Sequence, residues 1–448
     1  MKESIILNNI KKKLNISELN QMQRTILSKY SEIKGDLILF SPTGSGKTLA
    51  FFIPLFKSIN KSTSKVQAII IAPSRELVIQ IDNIAKTISD NIKITCCYGG
   101  HNVLDEKNSL EKTPDVIIST PGRLLDHINR KNIFVRDTKY LILDEFDKTL
   151  ELGFHNEMKK ICNNLPNLSK RILTSATRLN EFPEFIKLNN PHTIDFLYKN
   201  AELSQRLPIA EIKSPEKDKL STLLLLLKNI KINSRIIVFI NYRDAGIRIY
   251  NHLKENNIPA GIYNGSLDQI EREKAIEMFN NGSFKVLVST DLGARGLDID
   301  SVEYIIHYHM PLSKETYTHR NGRAARVDAT GSVYVITAPN EKNPEYIEFD
   351  NEVKLNENCT SVLKAEYNTL YFNAGKKEKI SKVDIVGFLI NKGELGKDDI
   401  GTINSHDHYT IAAVKSTKFK ATIKKISTEK IKNQKIRITV ATQRIKES

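Results

Sequence analysis

The sequence predicts an α/β protein: two tandem parallel-sheet domains followed by a small α+β domain. Three observations carry this. Short apolar runs rich in β-branched residues alternate with helical patterns from Asp36 to about Ile194. The alternation restarts after about residue 200. The final 82 residues change order, reading strand, helix, strand, strand, helix, strand.

In the first domain Leu37–Phe40 reads as a strand and Thr48–Ile59 as the helix after it. Ala68–Ala72, Val116–Ile118, Tyr140–Leu143 and Arg171–Leu173 are further apolar strands. Near-continuous apolar strands separated by helices signal a parallel sheet covered on both faces. In the second domain the strands are Arg235–Ile240, Ala260–Tyr263, Lys285–Ser289, Tyr304–Tyr308 and Gly331–Ile336, and no phosphate loop accompanies them. Residues 341–366 are polar and charged. In the last segment the strands are Thr369–Ala374, Asp399–Ile403, Tyr409–Val414 and Lys435–Val440, with helices near Lys382–Lys392 and Thr417–Ile426. The expected division is therefore 1–200, 201–345, a linker at 346–366, and 367–448.

Composition narrows the function. The chain of 448 residues is 40% hydrophobic and 27% charged, ordinary for globular protein. Its net charge of +15 favours an anionic partner, either nucleic acid or a membrane surface. Residues 367–448 hold 17 Lys and Arg against 8 Asp and Glu, so more than half of the excess sits there. Clustering of this kind favours nucleic acid. Apolar runs such as Leu223–Leu227 are far too short to span a bilayer, and Met1-Lys2-Glu3-Ser4 does not begin a signal peptide, so no membrane partner is expected. Cys96, Cys97, Cys162 and Cys359 form no C-x-x-C pair, and all four are expected as reduced thiols in a cytosolic protein, without a zinc site.

Three segments carry chemistry. Ser41-Pro42-Thr43-Gly44-Ser45-Gly46-Lys47-Thr48 follows a strand and opens a helix. Backbone N–H groups of such a loop wrap a phosphate chain, helped by the positive end of the helix dipole. Lys47 would reach the outer phosphates and the Thr48 hydroxyl would hold Mg²⁺. Asp144-Glu145-Phe146-Asp147 ends the strand Tyr140–Leu143. One carboxylate there can bind the metal, and its neighbour can orient and deprotonate an attacking water. His319-Arg320-Asn321-Gly322-Arg323-Ala324-Ala325-Arg326 packs three arginines into the second domain, as candidate fingers for a γ-phosphate. Beside a domain that lacks its own phosphate loop, they read as the other half of a split nucleotide site.

The ordered series resembles the DEAD-box RNA helicases of superfamily two, over about residues 5–345. Leu19-Asn20-Gln21-Met22-Gln23 is similar to the family's Q motif. Pro73-Ser74-Arg75-Glu76-Leu77 is similar to its P-T-R-E-L, and Gly99-Gly100 to its paired glycines. Thr120-Pro121-Gly122-Arg123 and Ser175-Ala176-Thr177 are identical to its T-P-G-R and S-A-T. Gln269 with Arg272, Thr290 to Asp298, and the arginine segment resemble motifs IVa, V and VI. The resemblance implies two RecA-like domains that close on ATP, Mg²⁺ and RNA. It implies that Gln23 reads adenine, that Asp144 with Thr48 holds metal, and that Glu145 is the base. It implies that Gly296 and Asp298 approach the nucleotide and that Arg323 and Arg326 are fingers. Asp147, Ser175, Ala176, Thr177 and His319 would couple closure to RNA. Pro73, Arg75, Gly100, Thr120, Arg123, Gln269, Arg272 and Thr290 would contact RNA, gripping backbone without reading bases.

The chain departs from the family pattern in four places, the first being a Q motif without its usual Pro-Thr before Gln23. Phe146 stands where the family has a small residue. G-R-A-A-R replaces G-R-T-G-R. Ile6 falls where an aromatic precedes the Q motif. The C-terminal segment resembles the RNA-recognition-like domain of the bacterial DEAD-box protein A subfamily, which binds large-subunit ribosomal RNA. That likeness rests on Asn373-Ala374-Gly375-Lys376-Lys377, Val383–Gly387 and Asp398–Gly401. Tyr371 or Phe372 is the candidate to stack on a base. The third strand is poor in aromatics, which points to loops and Lys/Arg side chains as the alternative to the sheet face. The resemblance thus implies a monomeric cytoplasmic helicase that acts on 23S ribosomal RNA in the pre-ribosomal large subunit. An ATP-gated RNA clamp or annealing chaperone is the alternative.

Overall fold

The computed structural model describes residues 2–42, 44–60, 64–100, 103–179, 181–197, 207–294, 299, 302–324 and 331–445, the side chains of 103–105 and 294 excepted. They form two compact units that divide near residue 205. No helix among the described residues is long and apolar enough to cross a membrane.

The first unit opens with α1 (Glu3–Leu14) and α2 (Gln21–Lys29). Then follow β1 (Leu37–Phe40), α3 (Lys47–Ser58), β2 (Ala68–Ile71), α4 (Arg75–Ile88), β3 (Ile94–Cys97) and α5 (Val103–Leu110). The unit closes with β4 (Val116–Ser119), α6 (Pro121–Asn129), β5 (Tyr140–Leu143), α7 (Phe146–Glu151), α8 (His155–Asn163), β6 (Lys170–Ser175) and β7 (His192–Asp195). The described strands make one parallel sheet in the order β3-β4-β2-β5-β6-β1-β7. Alternate side chains serve two cores. Ala68 and Ile70 face the cluster under α1 to α4, while Ile69 and Ile71 face the one that holds Leu124 of α6 and Met158 of α8. This two-sided burial is why the strands read as unbroken apolar runs. The edge strands β3 and β7 were not legible, because β3 alternates buried and half-buried residues and half of β7 is open to solvent.

The second unit repeats the plan with β8 (Ile209–Lys213), α9 (Leu220–Asn229), β9 (Ile236–Phe239), α10 (Arg243–Glu255), β10 (Ala260–Tyr263) and α11 (Gln269–Asn280). It continues through β11 (Val286–Ser289), β12 (Tyr304–His307), α12 (Lys314–Asn321), β13 (Ser332–Thr337) and β14 (Asn351–Glu352). The sheet order is β10-β11-β9-β12-β13-β8-β14. The segment expected as a linker instead extends this domain. β14 pairs with β8, Ile347 and Leu363 are buried, and the Tyr346 hydroxyl donates to Pro311 O at 2.6 Å. The apolar residues spaced through that polar stretch give it a surface to lie on.

The C-terminal part comprises β15 (Tyr367–Phe372), α13 (Lys382–Asn391), β16 (Ile400–Ser405), β17 (Thr410–Lys415), α14 (Ser416–Ile426) and β18 (Ile438–Val440). Its antiparallel sheet, in the order β16-β17-β15-β18, packs one face on α13 and α14 around Leu370, Phe372, Ile385, Leu389 and Ile426. The other face packs on α11 and the loop after it. Asn281 Nδ2 donates to Thr369 Oγ1 at 3.0 Å, and the Tyr409 hydroxyl donates to Glu273 at 2.7 Å. The Lys274 ammonium lies 5.7 Å from the Tyr371 ring centre. The tail completes the dock, since the Gln443 amide bonds both Ile262 N and Ile262 O at the exposed edge of β10. A side-chain amide there satisfies the edge as a neighbouring strand would.

This corrects the base-stacking expectation. Phe372 is fully buried in the core, and Tyr371 stacks on Tyr409 beneath the second parallel sheet's α11. A sheet face that already buries a protein interface does not offer its aromatics to a base.

His406 sits in the same interface, 2.8 Å from Glu277 and 3.8 Å from Glu273. Burial opposes its protonation, but the Glu277 hydrogen bond and the two carboxylate charges outweigh burial and raise its pKa above the ordinary 6.5. A raised pKa in the folded state stabilises most below the unfolded value, and the gain is lost as pH rises through the folded one. His406→Gln is therefore expected to lower the melting temperature at pH 6 by more than at pH 9. Equal losses at both values would show that His406 docks as a neutral group.

Candidate functional site

Three strands set the first site. β5, β6 and β1 are adjacent, so their carboxyl ends meet. From β1 the chain runs through the loop into α3, with Gly44 and Gly46 at positive φ of 77° and 86°. A Cβ on Gly46 would come within 2.5 Å of Gln23 Nε2, so glycine is required there for conformation and for space. Ser41 N donates to Ser175 O at 3.0 Å, which fastens the loop to β6. The Lys47 ammonium is buried and donates to Ser41 O at 2.8 Å. Thr48 opens α3 beside it, while Thr43 lies outside the described residues. Ser41, where the general pattern has Gly, bonds Ser45 Oγ at 2.6 Å and so holds the turn closed.

Gln23 lies behind the loop. Its amide accepts from Asn20 N at 2.9 Å and donates to Gly46 O at 3.1 Å. An amide has two donors and two lone pairs, so one of each remains to read a base edge. Asn20 caps α2 and donates to Ser45 O at 2.8 Å, a tie between the Q segment and the loop that the sequence reading passed over. Ile6 is fully buried in the first core, so at this position the chain uses an aliphatic side chain for packing.

At the end of β5, Asp144 is buried. Burial pushes its carboxyl above the usual carboxylate range, against the Lys47 charge and the Thr174 hydroxyl. Glu145 takes the left-handed conformation at φ 48°, an uncommon state for a side-chain-bearing residue and one often found at functional sites. Thr174 holds both acids in place, since its hydroxyl donates to Asp144 and accepts from Glu145 N. Its β6 position beside S-A-T gave no signal in the sequence. Phe146 is fully buried in the second core with Leu143 and Met158, which accommodates the departure from a small residue. Asp147 accepts from Thr177 Oγ1 at 2.9 Å, and Ser175 Oγ accepts from Thr177 N at 3.1 Å, with Ala176 buried between.

The other half of the same sheet edge gathers a second set of residues. β3, β4 and β2 are neighbours, so Gly100, Thr120 and Pro73 stand at adjacent strand ends. Ser74 caps α4 and Thr120 opens α6, which places two helix N-termini side by side. The Arg75 guanidinium crosses the paired glycines, where a Cβ on Gly100 would stand 2.4 Å from Nη1. Arg123 is largely buried, 3.3 Å from Glu106. Helix N-termini with arginines make a natural cradle for phosphates.

In the second unit Thr290 follows β11, and Gln269 and Arg272 open α11 after β10, all on the carboxyl side of that sheet. Arg272 braces the preceding loop through Leu267 O and Gly265 O. Gln269 donates to Glu273, the acid that also accepts from Tyr409. Arg320 is a keystone and no finger. It is completely buried, bonding Asp291 at 2.6 Å, Asn241 at 2.8 Å and His309 O at 2.9 Å. His319 and Arg323 are buried nearby in sequence, and burial with the Arg320 charge pushes the His307 imidazole down to about 3. Gly296, Asp298 and Arg326 lie outside the described residues.

A parallel sheet with a phosphate loop after its first strand and paired acids after its fifth defines a nucleotide-hydrolysing domain, here followed by a second sheet of the same plan without the loop. Family models for the DEAD/DEAH box helicase match residues 20–184, for the helicase conserved C-terminal domain 217–328, and for the DbpA RNA binding domain 369–440. The chain is 30% identical to the ATP-dependent RNA helicase DbpA of Bacillus subtilis, over 96% of each chain. It is 31% identical to that of Escherichia coli, over 90% of each. Dbp5 of S. cerevisiae bound to RNA and ADP BeF3 superposes with a TM-score of 0.67 at 25% identity, over 78% of this chain and 93% of the other. The chain belongs to the DEAD-box ATP-dependent RNA helicases, and it carries the additional RNA-binding domain of its DbpA relatives.

Proposed function

We propose that this helicase unwinds short structured elements of 23S ribosomal RNA during assembly of the large subunit, as a cytoplasmic monomer. Lys47 and the loop N–H groups bind the phosphates of ATP. Glu145 takes the proton of the attacking water, while Thr174 keeps Asp144 and Glu145 in register. The available ligands, the Thr48 hydroxyl and the Asp144 carboxylate, are hard oxygens, which suits Mg²⁺. Bound with ATP, that ion would spread the charge that develops on the phosphates. Gln23 reads adenine, and Arg323 with Arg326 completes the site from the second domain. Pro73, Arg75, Gly100, Thr120 and Arg123, with Gln269, Arg272 and Thr290, hold the RNA backbone.

The observation that supports the ribosomal target is an exposed basic surface on the C-terminal domain. Lys376, Lys377, Lys379, Lys435 and Arg437 are exposed on two touching segments, with Lys432 Nζ donating to Lys379 O and Asn373 N to Arg437 O. Gly375 lets the first segment pass His406 O, which a Cβ would meet at 2.1 Å. Deleting 367–448 would uncover α11 and the edge of β10, so substitution in the intact chain is the cleaner test. Replacing Lys377, Lys379, Lys435 and Arg437 with Gln should keep ATPase at saturating generic RNA and abolish any preference for 23S RNA. Each lost phosphate contact should reduce the log–log salt slope by about 0.7 on single strands. Unchanged half-saturating concentrations for 23S and unrelated RNA of equal length would rule out this surface.

A further inference from the structure

Glu106 gathers three donors from two segments of the first domain. Its Oε1 accepts from Tyr98 N at 2.9 Å, directly before the paired glycines. Its Oε2 lies 2.8 Å from His127 Nε2 and 3.3 Å from Arg123 Nε, both on α6. His127 is fully buried, and its other nitrogen lies 3.0 Å from the Asn132 amide. With Asn132 donating to Nδ1, the ring proton sits on Nε2 and donates to Glu106. The carboxylate therefore receives a backbone N–H, an imidazole N–H and a guanidinium.

The Cys97 thiol completes a group of three donor atoms within 4.8 Å of one another. The set does not suit a metal ion. The imidazole nitrogen that faces Glu106 carries the proton, the Arg123 cation already sits against the carboxylate, and burial with the Glu106 charge keeps the thiol protonated. Metal binding needs deprotonated ligands. What the geometry does is lock one arginine. Held at Nε by Glu106, with Nη1 3.9 Å from Asp126, Arg123 has its guanidinium plane fixed beside the N-terminus of α6. The same carboxylate fixes the strand end that leads into Gly99 and Gly100, over which Arg75 lies.

We propose that Glu106 is a positioning residue for RNA: it orients Arg123 and pins the paired-glycine loop, so that the first domain presents a pre-formed phosphate cradle. This rests on the reading of Arg123 as an RNA contact. Pre-organised groups lose less freedom on binding, and an arginine fork aimed by a fixed carboxylate grips phosphate with better geometry than a free one.

The test titrates RNA against ATPase in the full chain, for the parent, Glu106→Gln, Arg123→Ala and the double variant, with melting temperatures alongside. Glu106→Gln removes a negative charge near an anionic ligand, so simple electrostatics predicts tighter RNA binding. Positioning predicts the reverse, a half-saturating RNA concentration about five- to tenfold higher with the maximal rate little changed. In the Arg123→Ala background the added Glu106→Gln should cost little more, because the two act as one unit. If Glu106→Gln does not fold, His127→Gln is expected to shift the curve in the same direction. Half-saturation that is unchanged or lower in Glu106→Gln, or losses that simply add, would overturn the proposal while leaving Arg123 as an RNA contact. Arg123→Ala with parental half-saturation would overturn the reading beneath it as well.

Discussion

Glu145→Gln should bind ATP and RNA like the parent chain and turn over ATP about 10²–10⁴-fold more slowly, the usual cost of losing a general base. The amide keeps the size of the side chain but cannot take a proton from water. The structure sharpens the expectation in two ways. Glu145 is held at φ 48° by the start of α7 and by Thr174, features that the substitution leaves in place. Asp144, with its own Thr174 bond, is not altered. A loss confined to turnover, with equilibrium binding of nucleotide and RNA retained, identifies Glu145 as the base. Turnover at the parental rate would exclude it.

Arg323→Ala should depress RNA-stimulated ATPase by about 10³–10⁵-fold, the range found for arginine fingers in related phosphoryl transfer. RNA binding without nucleotide should change little, since a finger acts only once the site is assembled. Arg320→Ala, three residues earlier, should behave differently. Its guanidinium is wholly inside the second unit, and its loss leaves Asp291 without its partner and the Asn241 carbonyl without a donor. Truncating one side of a buried ion pair costs about 3–5 kcal/mol, so a fall in melting temperature is the primary effect. The two arginines are thus separable by measuring melting temperature and turnover together. A large drop in melting temperature for Arg323→Ala would make it a second keystone. Equal loss of nucleotide-free RNA binding would make it an RNA ligand.

The glycine-rich loop, the paired acids and T-P-G-R were legible because each is a short contiguous run of residues. A loop that wraps phosphates needs glycines and a lysine at fixed spacing, and a few residues carry the whole signal. Most interior strands were legible for a similar reason, since burial on both faces leaves an unbroken apolar run such as Ala68–Ile71, whereas β8 lies between β13 and β14 with alternating burial and gave no such run. Edge strands bury less, and β3 and β7 escaped notice. The segment at 346–366 read as a linker because its few buried side chains, such as Ile347 and Leu363, are scattered among polar ones.

The sequence by itself determined the parallel-sheet architecture, the DEAD-box class, the places of the glycine-rich loop and of the paired acids at their strand ends, and the basic character of the C-terminal domain. The tertiary structure alone decided which polar groups meet. Thr174 reaches Asp144 across 30 positions, Glu106 reaches His127 across 21, and Tyr409 reaches Glu273 across 136. It also decided that the C-terminal sheet face is spent on docking. Local pattern encodes how much of an element is buried and with what period. It does not encode the partner, because an isolated Thr, Glu or Tyr has the same propensities whether it faces water, RNA or a carboxylate brought in from another domain.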